Sequence, residues 1–199
     1  MEIKNEGVIS HMREELETKL GNEFSFMKRT HTEDGNLYQR WGCECADGWY
    51  HLLHDLCQEI TDTFSNAGMP TDIIIVQVKE KFAALRFYYS FEGTPCPIQA
   101  FDCLSDGTSI RFQPQDEFDN EDKKKLKEEI AGIVRKYEDK SRTVCECCGD
   151  EGIIRMELPW KKTLCDKCLC KHLQKREYRK AEQKRQIQEI KDKLKQKQQ

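Results

Sequence analysis

The stretch "TDIIIVQVKEKFAALRFYYSF", residues 71–91, carries the strongest strand signal in the chain. Most of its residues are β-branched or aromatic, and such side chains pack well on a pleated surface. The pattern predicts two strands, at about 72–79 and 84–91, joined near Lys81–Ala83. We therefore expect a β-hairpin here.

The segments around this hairpin predict a mixed fold. Residues 23–44, "EFSFMKRTHTEDGNLYQRWGCE", are expected to form a second strand pair around a polar Asp-Gly turn. Amphipathic patterns predict helices near 8–20, 48–66 and 119–140, and Gly21 is expected to end the first of them. The predicted fold class is α+β, with an antiparallel sheet built from two hairpins and packed with helices.

The chain is divided here into three predicted parts. Residues 1–142 are an α+β body, residues 143–170 a metal-binding module, and residues 171–199 a basic helical tail. Residues 92–117 hold three of the five prolines and are expected to be an inserted loop or small hairpin within the body.

The predicted module contains six of the chain's eleven cysteines in "CECCGDEGIIRMELPWKKTLCDKCLCKH", residues 145–172. Two Cys-x-x-Cys pairs, Cys145/Cys148 and Cys165/Cys168, suit tetrahedral zinc, because a two-residue gap lets one tight turn present both sulfurs. Gly149 stands where such a turn favours positive φ. Cys147 and Cys170 break the Cys-x-x-Cys geometry and are left out of the site.

The segment between the two pairs predicts the architecture of the module. It can fold as a hairpin that turns at Pro159–Trp160, and the second pair opens into a helix-forming sequence, as in a treble clef or zinc ribbon. Four thiolates fill the coordination sphere, so the zinc is expected to be structural. Residues 149–164 contain no histidine, which disfavours nuclease chemistry.

Charge is distributed unevenly along the chain. The whole sequence has 33 Lys+Arg and 36 Asp+Glu, whereas residues from Lys171 onward have 11 basic and 4 acidic residues. An acidic body thus precedes a basic tail. Neither an N-terminal signal nor a long apolar run is visible, so we expect a cytosolic protein without a membrane segment.

Other candidate sites have two interpretations each. On the hairpin, basic side chains lie beside aromatic rings, at Lys79, Lys81, Arg86 and Tyr88. This arrangement is typical of sites that bind nucleotides or single-stranded nucleic acid, but it also occurs where the rings only pack within a sheet. His51 and His54 either form a metal-binding His-x-x-His pair or lie on the solvent-exposed face of a helix. Five further cysteines form a second site or are buried thiols: Cys43, Cys45, Cys57, Cys96 and Cys103.

The tail has three open interpretations. Its basic residues can bind phosphates, and the candidates are Arg176, Arg179, Lys180, Lys184 and Arg185. Alternatively, Ile187, Ile190 and Leu194 follow a heptad spacing and can pair with another helix. A solvated helix is the third possibility.

Three blocks of sequence resemble a family of small, mostly uncharacterised proteins encoded by phages, prophages and bacteria. The blocks are "WGCECADGWYHLLHDLC", "VQVKEKFAALRFYYS" and "CECCGDEGIIRMELPWKKTLCDKC", and the resemblance extends over roughly residues 41–91 and 141–168. The resemblance implies a phage or mobile-element origin and supports the four module cysteines as the metal set. It marks a group of residues as a shared surface or core: Cys45, Asp47, Gly48, Trp49, Lys79, Lys81, Phe82, Arg86 and Tyr88.

The sequence departs from that family's pattern at two places. Ala46 replaces a usual glycine, and Ala83–Ala84 replace a Gly-Gly pair. The second replacement predicts that the turn there does not require positive φ.

The expected function is binding and not catalysis. We expect a zinc-containing phage accessory protein in the bacterial host cytosol that engages a host protein, such as a defence or transcription factor. An acidic body suits docking onto basic host surfaces. Nucleic-acid binding through the tail and the Lys79/Lys81/Arg86 patch is the alternative, and nucleotide or small-molecule binding is a third.

Overall fold

The computed structural model describes residues 11–30, 35–93, 100–102, 109–111 and 120–196. The described chain is a mixed α and β protein. Its helices are α1 (Glu14–Glu23), α2 (Leu37–Trp41), α3 (Tyr50–Asn66), α4 (Glu121–Lys140) and α5 (Asp166–Gln196). Its strands are β1 (Cys43–Glu44), β2 (Ile73–Lys81), β3 (Ala84–Phe91), β4 (Ala100–Asp102), β5 (Ser109–Arg111), β6 (Ile153–Arg155) and β7 (Lys162–Leu164).

The main sheet has three strands in the order β1-β2-β3. The β2–β3 hairpin is antiparallel, as predicted, but β1 runs parallel to β2 through the pairs Cys43↔Val78 and Glu44↔Lys79. The prediction of an antiparallel sheet from two hairpins is therefore wrong. A parallel neighbour requires a crossover connection, and α3 supplies it between β1 and β2.

The predicted strand pair within residues 23–44 is also wrong. Within its described residues, 23–30 and 35–44, this segment contains a 3-10 turn at Ser25–Met27 and the helix α2, and strand is found there only at the last two residues. The side chain of Asn36 accepts a hydrogen bond from the backbone nitrogen of Gln39 at 3.0 Å and caps α2. Tyr38 is fully buried and donates its hydroxyl hydrogen to the Met27 carbonyl oxygen, which fixes the helix to the turn. Asp34 of the predicted turn lies outside the described residues.

The core explains most of the predicted helices. One cluster of buried apolar side chains joins α3, α4 and the β2–β3 hairpin, and its fully buried members include Leu53, Leu56, Ile60, Val78, Leu85, Phe87, Ile130 and Val134. The predicted helices near 48–66 and 119–140 are confirmed as α3 and α4. The first helix continues past Gly21 to Glu23. A Cβ at Gly21 would lie 3.1 Å from the Lys28 Cα, so this glycine allows close packing inside α1 and does not end it.

Side chains of α4 and of the 3-10 turn after it protect the outer edge of β3. The carboxylate of Glu138 accepts from the Phe87 backbone nitrogen, and the hydroxyl of Ser141 accepts from the Leu85 backbone nitrogen, both at 2.8 Å. Glu138 and Ser141 are buried. The third strand is thus held to the helical layer by hydrogen bonds as well as by apolar packing.

The β2–β3 turn differs from the prediction made for it. Phe82 has φ +54° and Ala83 has φ +61°, although neither is glycine. Tight two-residue hairpins favour positive φ at both central positions, because that geometry matches the twist of the strands. The turn is therefore strained, and the prediction that positive φ is not required here is wrong.

The chain divides into two compact units, Met1–Leu164 and Cys165–Gln199. The predicted division at 142 and 170 stays a prediction. Within the insert, β4 and β5 form a short antiparallel pair, which agrees with a small hairpin there. No helix among the described residues is long and apolar enough to cross a membrane.

Candidate metal centre

The first cysteine pair lies on a tight turn. The backbone nitrogen of Gly149 donates to the Cys145 carbonyl oxygen at 2.9 Å, and the backbone nitrogen of Cys145 donates to the Asp150 carbonyl oxygen at 2.7 Å. Gly149 has φ +83°, which confirms the positive φ predicted for the residue that follows the first cysteine pair. This turn presents the sulfurs of Cys145 and Cys148 on the same side.

The second cysteine pair lies at the start of α5. The Cys168 backbone nitrogen lies 3.4 Å from the Cys165 sulfur, and the Leu169 nitrogen donates to the Cys165 carbonyl oxygen at 2.9 Å. A backbone N–H directed at a sulfur favours the thiolate form, which is the metal ligand.

The four sulfurs of Cys145, Cys148, Cys165 and Cys168 all lie within 4.8 Å of one another. In a tetrahedral site with metal–sulfur bonds of about 2.3 Å, sulfurs are about 3.8 Å apart, so a small inward adjustment closes the site around an ion. These four residues can therefore hold a metal ion. Among the described residues they form the one such cluster of three or more ligating side chains.

The hairpin predicted between the pairs is present as β6–β7. It is tied to the first turn by a hydrogen bond from the Glu146 nitrogen to the Thr163 carbonyl oxygen at 2.9 Å. Gly152 lies under the same turn, and a Cβ there would lie 2.9 Å from the Cys145 nitrogen. The hairpin thereby fixes the backbone that carries Cys145.

The body of the protein packs directly against the first turn. A Cβ at Gly48 would lie 2.4 Å from the Cys145 carbonyl oxygen and 2.6 Å from the Cys148 nitrogen. The Gly48 nitrogen donates to the Glu146 carbonyl oxygen at 2.9 Å, and the Trp49 indole nitrogen donates to the Val144 carbonyl oxygen at 2.9 Å. Only glycine permits so close an approach of two backbones.

The strained β2–β3 turn packs against the same hairpin. Thr163 donates its hydroxyl hydrogen to the Ala83 carbonyl oxygen at 2.8 Å, and both residues are fully buried. Glu80 accepts from the Ala83 nitrogen at 2.8 Å. Two hydrogen bonds thus hold a backbone conformation that alanine rarely adopts.

A buried ion pair accompanies this contact. Lys162 pairs with Glu146, whose side chain is 2% exposed. Burial raises the pKa of Glu146 to about 7, against the opposing attraction of Lys162. Burial lowers the pKa of Lys162, but the carboxylate of Glu146 outweighs it, so the net direction is upward.

The predicted patch on the β2–β3 hairpin is assembled but only partly exposed. Lys79 and Arg86 are cross-strand partners, and the Lys79 ammonium lies 5.2 Å from the centroid of the Tyr88 ring. Lys81 lies 5.4 Å from the Phe82 ring centroid. Arg86 is only 2% exposed, so its guanidinium is not a surface group, whereas Lys79, Lys81 and Tyr88 are half-buried.

The predicted tail residues lie on α5, which extends over 31 residues. Arg176 is half-buried, and the remaining predicted phosphate ligands, Arg179, Lys180, Lys184 and Arg185, are exposed. Residues 197–199 lie outside the described part of the chain.

The remaining candidates have simpler environments. His54 contacts the Glu23 carboxylate at 3.1 Å and packs edge-on against Phe24, while His51 is exposed beside Tyr50. Cys43, Cys45 and Cys57 are fully buried free thiols. Cys96 and Cys103 lie outside the described residues.

Sequence reasoning missed what Gly48, Trp49 and Thr163 do. The resemblance had marked the first two as shared residues without a role. Trp49 and Val144, for example, are 95 residues apart in the sequence. A contact between residues so far apart produces no local periodicity by which it could be predicted. Comparison with known protein families, curated proteins and solved structures gave no significant match.

Proposed function

We propose that this chain is a structural zinc protein that binds a host macromolecule, as a non-enzymatic accessory protein of a phage or mobile element. The observation that carries the zinc part of the proposal is the convergence of four thiols within 4.8 Å, two of them on a turn against which Gly48 packs. Four cysteine ligands match the closed, tetrahedral sites in which zinc stabilises a fold.

The choice of zinc rests on the ligands. Soft thiolates favour zinc or iron–sulfur chemistry over magnesium or calcium. A turn, a hairpin and a helix that carries the second ligand pair suggest a treble clef. Since thiolates must stay reduced to bind metal, the proposal places the protein in the reducing cytosol of the host bacterium.

Metal analysis of the purified full chain tests the zinc part of the proposal. We expect about one zinc per chain, and cobalt substitution should give the visible spectrum of a tetrahedral tetrathiolate complex. Cys148→Ser and Cys168→Ser should each lose the metal. Cys147→Ser and Cys170→Ser are matched controls, because both thiols are exposed neighbours outside the cluster, and they should retain it. Retention of stoichiometric zinc by both Cys148→Ser and Cys168→Ser would exclude this site.

The binding part of the proposal rests on surface that the core does not use. Apolar side chains on one face of α5 are exposed, notably Ile187 at 54% and Ile190 at 52%. Exposed apolar residues that lie next to one another on a helix are a feature of protein interaction sites. Isolation of a stoichiometric complex from the host, with loss of that complex on exchanging α5 residues, is the expected result.

Nucleic-acid binding is the second candidate. It is favoured by the 11 basic and 4 acidic residues of the tail. A titration of labelled duplex DNA, single-stranded DNA and RNA against salt separates the two candidates. Binding that weakens steeply with salt and disappears with the tail supports nucleic acid as the ligand. Absence of binding at low salt would exclude nucleic acid and leave the tail as a pairing helix or a solvated appendage.

A further inference from the structure

We infer that α5 presents a docking surface for an acidic amphipathic helix of another protein. The inference rests on the proposed binding function and names the chemistry of its partner. It uses α5 alone, which is a continuous helix of 31 residues and therefore about 46 Å long.

The first observation is a heptad stripe along α5, which is apolar at both ends and polar at Arg176, Lys180 and Gln183. Positions 173, 176, 180, 183, 187, 190 and 194 alternate spacings of three and four, which places them on one stripe of the helix. Four of the seven are Leu or Ile. Of these, Leu173, Ile187 and Ile190 are 40%, 54% and 52% exposed. The stripe is thus available to a partner helix.

The second observation is that charge on α5 is segregated by face. The stripe and the positions that flank it, from 172 to 194, carry six basic residues and one acidic residue. The basic residues are Arg176, Arg179, Lys180, Lys184, Lys191 and Lys193. The rest of the helix surface, from 171 to 196, carries four basic and three acidic residues and is nearly neutral. We call the first set the basic heptad face.

A second copy of this chain does not fit that face in a parallel orientation. In a parallel pair, Lys180 would meet its own copy at the centre, and Arg179 would lie beside Lys184 of the other helix. Repulsion between like charges at these positions disfavours the pairing of two copies of α5. A partner with Asp or Glu at the flanking positions would neutralise the same residues, and its own apolar positions would cover Leu173, Ile187 and Ile190.

Duplex DNA uses only half of the face. Phosphates would be attracted by the basic residues, but Ile187 and Ile190 would gain nothing from a phosphate backbone. Apolar residues at heptad spacing between cations are instead the arrangement that a heterotypic coiled coil requires. The observations therefore favour a helical protein partner.

The test measures binding of the zinc-loaded full chain to two synthetic peptides by isothermal titration calorimetry. Both peptides have four heptads with Leu and Ile in the core positions. One carries Glu at every flanking position and the other carries Lys. We expect the Glu peptide to bind at least about tenfold more tightly than the Lys peptide, and we expect the full chain alone to sediment as a monomer at the same concentration.

Matched variants assign the binding to the face. The Ile187→Gln/Ile190→Gln pair should weaken binding of the Glu peptide by at least about tenfold. Tyr178→Gln removes a large exposed side chain from the other face and should leave it unchanged. Likewise, Lys184→Glu/Lys191→Glu should weaken binding and Lys175→Glu/Arg185→Glu should not. Circular dichroism of each variant shows whether the helix itself has been lost.

Three outcomes would overturn the inference. The first is absence of binding to the Glu peptide; the second is equal binding of both peptides; the third is tighter binding to duplex DNA that Ile187→Gln/Ile190→Gln leaves unchanged. If the chain retains one zinc and still binds a host partner in these cases, the proposed function survives and only the assignment of the partner to α5 fails.

Discussion

Gly48 and Cys145 lie in backbone contact, such that a methyl group on Gly48 would come within 2.4 Å of the Cys145 carbonyl oxygen. The contact joins the segment before α3 to the turn that carries the first two candidate ligands. The position of these ligands therefore depends on a residue almost one hundred positions earlier in the chain.

Gly48→Ala should weaken metal binding by about tenfold or more and lower the free energy of unfolding by about 1–3 kcal/mol, because one of two backbones has to move. Competition with a chromophoric chelator and urea denaturation measure the two effects. Gly132→Ala is the control. A Cβ at Gly132, inside α4, meets nothing within 4 Å, so this variant should be neutral or stabilising. Equal metal affinity in both variants would contradict the assigned role of Gly48.

Metal removal should be visible at Trp49. Of the three tryptophans, Trp49 is fully buried, while Trp41 and Trp160 are 51% and 71% exposed. In the Trp41→Phe/Trp160→Phe variant, chelation should shift the emission to longer wavelength as the Val144 hydrogen bond is lost. The free energy of unfolding should fall by at least about 2 kcal/mol, since the ion binds the folded state alone. Re-addition of zinc should reverse both changes, and an unchanged spectrum after full metal removal would contradict the coupling.

Thr163→Val should lower the free energy of unfolding by about 1–3 kcal/mol, because the shape is kept while the buried Ala83 carbonyl oxygen loses its donor. Thr143→Val is a matched control, since Thr143 donates to the Lys140 carbonyl oxygen at an exposed position. Its cost should stay below about 0.5 kcal/mol. Urea denaturation of the two variants in parallel measures the difference. Similar losses in the free energy of unfolding would show that the hydrogen bond to Ala83 stabilises the fold no more than an exposed one does.

Ala83→Gly should be less destabilising than Ala84→Gly by about 1–2 kcal/mol. Both alanines are fully buried, so each variant loses the same methyl group, but only Ala83 has positive φ and only there does glycine relieve strain. Thermal and urea unfolding of both variants measures the difference. Equal costs would mean that the turn is not strained in solution.

The ion pair between Glu59 of α3 and Lys136 of α4 should make stability depend on pH. The hydrogen bond from Lys136 lowers the pKa of Glu59 below its ordinary value. Because the pKa of Glu59 is lower in the folded state, its ionised carboxylate stabilises the fold at pH values above the unfolded-state pKa of about 4.3. This stabilisation is lost as pH falls through the folded-state pKa.

Glu59→Gln tests this linkage. At pH 7 it should cost less than about 1 kcal/mol, because the pair is partly exposed. The cost should disappear as pH falls through the lowered folded-state pKa of Glu59, because the carboxylate of the parent protein is then protonated. Urea titrations of both proteins across this range provide the measurement. A cost that is independent of pH would assign the effect to packing and not to charge.

Patterns that repeat within a few residues predicted their elements correctly. The periodic apolar residues of α3 and α4, the alternation of β2 and β3, and the two Cys-x-x-Cys pairs all encode their structure locally. The convergence of the four cysteines was likewise predictable, because a metal site requires a recognisable ligand set.

Elements that depend on distant contacts were not predictable. The helix α2 is only five residues long, and the burial of Tyr38 stabilises it more than propensity does. The parallel pairing of β1 rests on two residues opposite Val78 and Lys79. The positive φ of Ala83 is held by Glu80 and Thr163, and the second of these lies 80 residues away. No local window contains this information.

The hydrogen bonds that Glu138 and Ser141 accept at β3 have a consequence for self-association. An open strand edge is a template on which a strand from another molecule can be added. Here the amide hydrogens of Leu85 and Phe87 are already taken by two buried side chains, so an incoming strand would have to displace a buried carboxylate before it gained its first hydrogen bond. The same pair of contacts that holds the helical layer to the sheet therefore also opposes aggregation along β3.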